Sequence, residues 1–175
     1  MNCIVYKIGQ SLYAIDAGEV VGVENSLNIN AIPGQPEGIV GIADVRGAMT
    51  PVVSINRFFG LPVKREGTTL IVNDNGNMIA YLTEGVEAIR EIDFNAANTA
   101  PLIIQSFADC VKNMTLVDGK PVIYMELTDI IPQEEKSRIQ SFMKQFEDTK
   151  KSEDEAAKEE TAPEAAETEA TGGEA

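Results

Sequence analysis

The side chains that most often make and break bonds are absent or badly spaced in this chain. It has no histidine, the side chain that titrates nearest neutrality, so Ser/His/Asp and Cys/His arrangements are excluded. Its two cysteines, Cys3 and Cys110, form no CxxC pair and have no histidine to complete a mixed zinc site. Gly119-Lys120 lacks the earlier glycine of a phosphate-binding loop, and Pro121 stands where that loop needs Ser or Thr. Asp74, flanked by Asn73 and Asn75, has the look of a calcium loop, but the bidentate glutamate is missing at EF-hand spacing, where only Glu84 is near. Glu84, Glu87 and Glu91 fall in a strand or turn region and read as readily as a solvated face as they do as a paired-acid site. The residues therefore point to no catalytic group, no metal and no cofactor.

Composition narrows the partners. With 14 basic and 28 acidic residues the formal net charge is -14, which repels phosphate backbones and anionic lipid surfaces. The expected partners are proteins, with no nucleic acid and no direct membrane insertion. No apolar run approaches the roughly 18 residues that cross a bilayer. The N-terminus lacks a basic region followed by an apolar stretch and a cleavage site, so a reducing cytoplasm is the expected compartment and the Asn113-Met114-Thr115 sequon has no consequence. A chain of 175 residues has room for one ordinary domain, or two very small barrels sharing a core.

The elements that would position any site are mostly strands. Runs rich in β-branched residues at Cys3–Ile8, Gly38–Val45, Thr50–Ile55, Thr68–Val72, Met78–Leu82, Val86–Ile92 and Pro121–Leu127 alternate with Gly, Asn, Asp or Pro. That spacing suggests a barrel or sandwich. Asn73-Asp74-Asn75-Gly76-Asn77 and Val117-Asp118-Gly119-Lys120 predict tight hairpins with exposed tips. A short helix is expected at Ile55–Phe59, ended by Gly60. Pro51 is expected at a strand start or edge because it cannot donate a ladder hydrogen bond. Pro132-Gln133-Glu134-Glu135 reads as a helix start, after which Ile139, Phe142, Met143 and Phe146 recur on one face. From Asp148 to Ala175 ten acids face three lysines, a net of 3 - 10 = -7. With no large apolar residue this stretch reads as a disordered acidic tail, 148–175, following a domain of residues 1–147.

One stretch carries a more specific signal. Leu12-Tyr13-Ala14-Ile15 and Val20 are followed by Ile32-Pro33, then by Gly41-Ile42-Ala43-Asp44-Val45-Arg46-Gly47-Ala48-Met49-Thr50-Pro51-Val52-Val53, and then by Phe59-Gly60. In order and spacing this resembles the CheW family over residues 12 to 61, and more loosely up to Ile131. The resemblance implies a mainly β fold of two intertwined five-stranded SH3-like barrels with short helices and a C-terminal helix. It also implies a non-enzymatic chemotaxis adaptor whose partners are the regulatory domain of the histidine kinase CheA and the cytoplasmic tips of methyl-accepting chemoreceptors. Val20, Gly41, Val45, Arg46 and Gly47 fall where the family's partner-binding region does.

On physical grounds Gly41 and Gly47 bracket a strand that bends around a barrel. Arg46 suits a forked contact, either a tie between subdomains or a contact with a partner. By alternation Val20, Val21 and Val23 are mostly core, with one face open to a partner. The chain departs from the family at Ser54 and Glu126, where Asp is usual, and at Gly22, often a charged position. Because the tail is expected to bury little, deleting residues 149–175 should leave thermal stability within about 0.5 kcal/mol, as read by calorimetry.

Overall fold

The computed structural model describes residues 1–95 and 109–160. Among them are ten strands: β1 (Asn2–Ile8), β2 (Ser11–Asp16), β3 (Val20–Glu24), β4 (Gly41–Val45), β5 (Ala48–Ser54), β6 (Thr68–Asp74), β7 (Asn77–Thr83), β8 (Gly85–Glu91), β9 (Val111–Val117) and β10 (Lys120–Met125). Single 3₁₀ turns lie at Ala17–Glu19, Ile55–Phe59 and Leu127–Asp129, and one helix, α1, runs Gln133–Glu160.

The strands form two five-stranded sheets, ordered β8-β1-β2-β10-β9 and β3-β6-β7-β5-β4. The two have the same wiring. In each, an antiparallel hairpin (β1–β2, β6–β7) meets a second hairpin (β9–β10, β4–β5) through one parallel pair, β2 with β10 or β7 with β5. The outermost strand of each is supplied by the other's hairpin. β2 leads through Ala17–Glu19 into β3 of the second sheet, and β7 leads through Glu84 into β8 of the first. This exchange makes the expected SH3-like barrels intertwined.

Both sheets curl closed at their free edges, as small barrels must to remove unpaired backbone. In the second, Asn30 beyond β3 exchanges two 2.9 Å backbone bonds with Ile42 of β4. In the first, Asn113 of β9 donates to Phe94 O, beyond β8, at 2.9 Å, and Arg90 of β8 pairs with Asp118 at 2.7 Å. Gly41 permits the second closure, since a Cβ there would sit 2.5 Å from Asn30 O.

Each barrel has its own core, one around Cys3, Val5, Ala14, Val122 and Tyr124 and the other around Val40, Ala43, Val52, Ile71 and Leu82. β1 and β7 are buried on both faces and touch each other. Their second faces, carrying Tyr6 and Tyr81, are fully buried, and burial pushes both phenols well above their usual pKa. Tyr6 stacks on Tyr13, which meets Phe59 of the second barrel at 5.1 Å.

Three sequence expectations need correction. Pro51 lies inside β5, not at its start. It is tolerated there because β5 pairs with β4 at that point while pairing with β7 begins only at Val52. Asp74 is not part of the exposed hairpin tip. Asn73, Asn75, Gly76 and Asn77 are exposed, with the turn itself at Asn75 and Gly76, φ 52° and 89°, while Asp74 is 5% exposed and pairs with Lys136 of α1 at 2.6 Å. The helix also continues through residues 148–160, all exposed, where composition suggested disorder. Alanine, glutamate and lysine are strong helix formers, and the predicted apolar face extended only to Phe146. Residues 161–175 of the expected tail lie outside the described residues.

The first turns of α1 are seated by charge. Glu135 forks onto Arg57 and occupies the space beside Gly38 that a Cβ would need. The Lys136–Asp74 pair is nearly buried, at 11% and 6% side-chain exposure. Removing one partner of such a pair strands the other charge, so Lys136→Met should lower unfolding stability by about 3–5 kcal/mol, and the double change Asp74→Leu/Lys136→Met should recover most of it. Gly41→Ala should cost about 1–3 kcal/mol through its clash at the closure. Urea midpoints would report both, with an unchanged slope for Gly41→Ala.

Candidate functional site

The residues singled out from the sequence gather around β3 and the β4–β5 hairpin. The two strands stand at opposite edges of the second sheet in pairing order. Barrel closure brings them together.

The hairpin tip is Arg46-Gly47, with φ of 53° and 87°, the two positive angles of a type I′ turn. Asp44 Oδ1 accepts from Gly47 N at 2.7 Å and fixes the turn. A left-handed arginine is uncommon and costs roughly 1–2 kcal/mol, and sequence inspection missed this turn because it lacks the Asn or Asp that usually marks one. Beneath the tip, Val45 is 8% exposed and packs into the second core with Val40, Ala43 and Val52. Gly41 is also buried. Of the five candidates, Arg46 and Gly47 are exposed, Val20 is half-buried, and Gly41 and Val45 lie inside.

On β3 the alternation runs opposite to a simple core reading. Val21 and Val23 point outward, at 50% and 37% exposure, while Val20 faces in and stands opposite Val72 of β6. Val21 and Val23 are thus the surface residues that the sequence pointed to only through its period of two. Arg46 reaches back over this strand. A Cβ at Gly22 would lie 3.2 Å from its Nη2, and its ion pair is with Glu24, 3.7 Å away. The acid that pairs with Arg46 therefore stands at position 24, two residues beyond Gly22. Both partners belong to the second barrel, so the pair is not a tie between subdomains. Being exposed, at 69% and 35% of the side chains, it is worth little in water.

Next to Val21 lies an open polar cleft of about 580 Å³, lined among others by Glu19, Val72, Asn73, Glu126 and Thr128. Burial pushes the Glu19 carboxyl up from its usual value, with the negative charges of Glu126 and Asp16 adding to it. On the far side of Glu126, Lys112 holds Asp129 at 2.9 Å, and that hydrogen bond keeps the Asp129 carboxyl below its usual value. Glu84 is held ionised in the same way, by a 2.9 Å bond from Asn56. The two thiols, Cys3 and Cys110, are buried and unlinked, and burial raises both pKa values, which makes them poor nucleophiles. Among the described residues no group of three or more Cys, Asp or Glu could hold a metal ion, and no helix is long and apolar enough to cross a membrane. What the arrangement offers is a contoured surface of two outward valines, a raised arginine and a polar cleft.

Comparison with known proteins agrees with the architecture. A family model described as the CheW-like domain matches residues 2–135. The chemotaxis protein CheW of Rhizobium meliloti (strain 1021) is 19% identical over 138 residues, covering 76% of this chain and 88% of that one. The chemotaxis protein CheW of Thermotoga maritima is 20% identical over 128 residues, covering 72% and 84%. The crystal structure of the scaffolding protein TtCheW from Thermoanaerobacter tengcongensis superposes with a TM-score of 0.62 at 25% identity, covering 72% of this chain and 88% of that one. The family match takes in every strand of both barrels, ending at Glu135 in the first turn of α1, and the chain belongs to the CheW-like domain family.

Proposed function

We propose that this chain is a non-enzymatic chemotaxis adaptor that couples chemoreceptors to the histidine kinase CheA in cytoplasmic signalling arrays. Its relatives carry the name chemotaxis protein CheW, and its structural neighbour is a scaffolding protein. The observation that carries the reading is the left-handed Arg46, held at the tip of a closed barrel beside two outward valines. Strain of that kind persists where the surrounding fold enforces it, and it gathers at functional surfaces.

In this reading the helical hairpin at a receptor's cytoplasmic tip docks on Val21 and Val23, with Arg46 and Gly47 at the edge of the contact. Val20, Gly41 and Val45 give that surface its shape without touching the partner, since they are half-buried or buried. The regulatory domain of CheA is the second partner. Holding both at once adds avidity without any chemistry. The domain that does this is residues 1–147, with the acidic stretch 148–175 dispensable for it.

The test is Arg46→Glu in the full chain, titrated by calorimetry with a receptor cytoplasmic fragment and with the kinase's regulatory domain. The expected result is a retained fold by circular dichroism and receptor binding weakened by at least about tenfold, roughly 1.4 kcal/mol. Unchanged affinity of the folded variant for both partners would remove Arg46 from the contact.

A further inference from the structure

The end of the second barrel where β6 begins and β7 ends holds a cavity of about 270 Å³. Thr69 lines it from within. It pairs with Leu82 of β7, which belongs to the barrel's apolar core, so the two side chains share the inward face. Thr69 is 1% exposed, and its hydroxyl has no hydrogen-bond partner among the described residues. Thr50 and Thr83 are as deeply buried, yet their hydroxyls donate to Ala48 O at 3.1 Å and to Thr68 O at 2.8 Å. A buried hydroxyl left open carries a desolvation penalty that a bound group relieves. One water would satisfy it, but the cavity is several times the roughly 30 Å³ that a water takes up in the liquid.

Arg65 lines the same cavity. Its Nη1 donates to Val40 O at 3.3 Å, which leaves most of the guanidinium donors open. Arg46, Arg57, Arg90 and Arg138 each pair with a carboxylate. Arg65 has no such ion pair among the described residues, in a chain with 28 acids. Leu27 and Ile29 complete an apolar wall with Leu82, and both pack on the second core. The rim is built in advance. Gly67 has a φ of 145°, and a Cβ there would lie 2.3 Å from Thr83 O, so the chain beyond Arg65 runs close over the end of β7. Residues 25–29 lead directly to Asn30, which closes the barrel onto Ile42. Glu66 stands exposed at the rim, where its charge repels a multiply charged anion more than a singly charged one.

We infer that this cavity is a binding site for a small monocarboxylate with a short apolar body. The carboxylate meets the fork of the Arg65 guanidinium and accepts from the Thr69 hydroxyl, while the body lies against Leu27, Ile29 and Leu82. The volume falls below the roughly 300–1,000 Å³ of pockets for drug-sized molecules, which limits the body to a few carbons. An occupant joins residues 25–29 to β6 and β7 and so tightens the closure at Asn30 and Ile42. The site stands independently of the adaptor reading.

The test is an NMR titration of the isotope-labelled full chain with isovalerate, hexanoate and benzoate. Isovaleramide, which keeps the shape and removes the charge, and acetate, which keeps the charge and removes the body, are the controls. At least one of the three acids should bind saturably with a Kd at or below about 1 mM, with shifts concentrated in residues 25–30 and 65–69. Isovaleramide and acetate should bind at least about tenfold more weakly, and Arg65→Gln should lose at least about tenfold for the acid that binds. Thr69→Val keeps the shape and removes the open hydroxyl, so it should hold the thermal midpoint while weakening the acid by about threefold or more. Saturating acid should raise the midpoint of wild type and leave that of Arg65→Gln in place. No saturable shift with any of the three acids overturns the site. Isovaleramide binding as tightly as isovalerate overturns the carboxylate, and this comparison needs wild type alone, so it decides even where a variant fails to fold. Undiminished acid binding by folded Arg65→Gln overturns the proposal as well.

Discussion

Neither barrel is complete without a strand from the other. β3 is the continuation of the β1–β2 hairpin and β8 is the continuation of β6–β7, so the edge of each sheet is covered only when its neighbour has folded. The connections are short: Ala17–Glu19 in one direction and Glu84 in the other. Two barrels joined in this way cannot separate without breaking strand pairs in both. This exchange places β1 and β7 back to back, buries Tyr6 and Tyr81 between the halves, and sets each barrel's exposed features in a fixed relation to the other's. A module that acts by shape needs such rigidity, because loose surfaces must be ordered again each time a partner binds.

Small details of side-chain size allow the closure. Asn30 can bond to Ile42 only because Gly41 leaves room for its carbonyl. Gly38 does the same for Glu135, which lets the first turn of α1 rest on Arg57. The buried Lys136–Asp74 pair then holds the helix against the end of β6, one strand away from β3. Such a pair adds little net stability, but each charge requires the other in place. The helix seat thus lies one strand-pairing away from the surface proposed for the receptor.

Much of this was legible in the sequence, for identifiable reasons. β-branched runs between turn residues marked β1, β4 to β8 and β10 to within a few residues, and Asn75-Gly76 and Asp118-Gly119 marked their turns. β9 was harder to see, because Lys112-Asn113-Met114-Thr115 lacks a strong strand composition. The exchange of β3 and β8 was reached only through the family resemblance, since pairing between distant strands leaves no local signal. Of the residues singled out for the candidate site, Arg46 and Gly47 are exposed at a hairpin tip, whereas Gly41 and Val45 are buried, a difference that the sequence alone does not display. The outward valines were Val21 and Val23, because the bulge between Val20 and Gly22 in the β3–β6 pairing and the period of two decide which side faces water.

The central proposal is that this rigid body works as an adaptor that holds two protein partners at once. Sedimentation velocity on the full chain mixed with a receptor cytoplasmic fragment and the kinase's regulatory domain tests it most directly. The account predicts a ternary species that contains all three proteins and is larger than either binary complex. Competition between the two partners for the chain, with only binary complexes present at saturation, would contradict it.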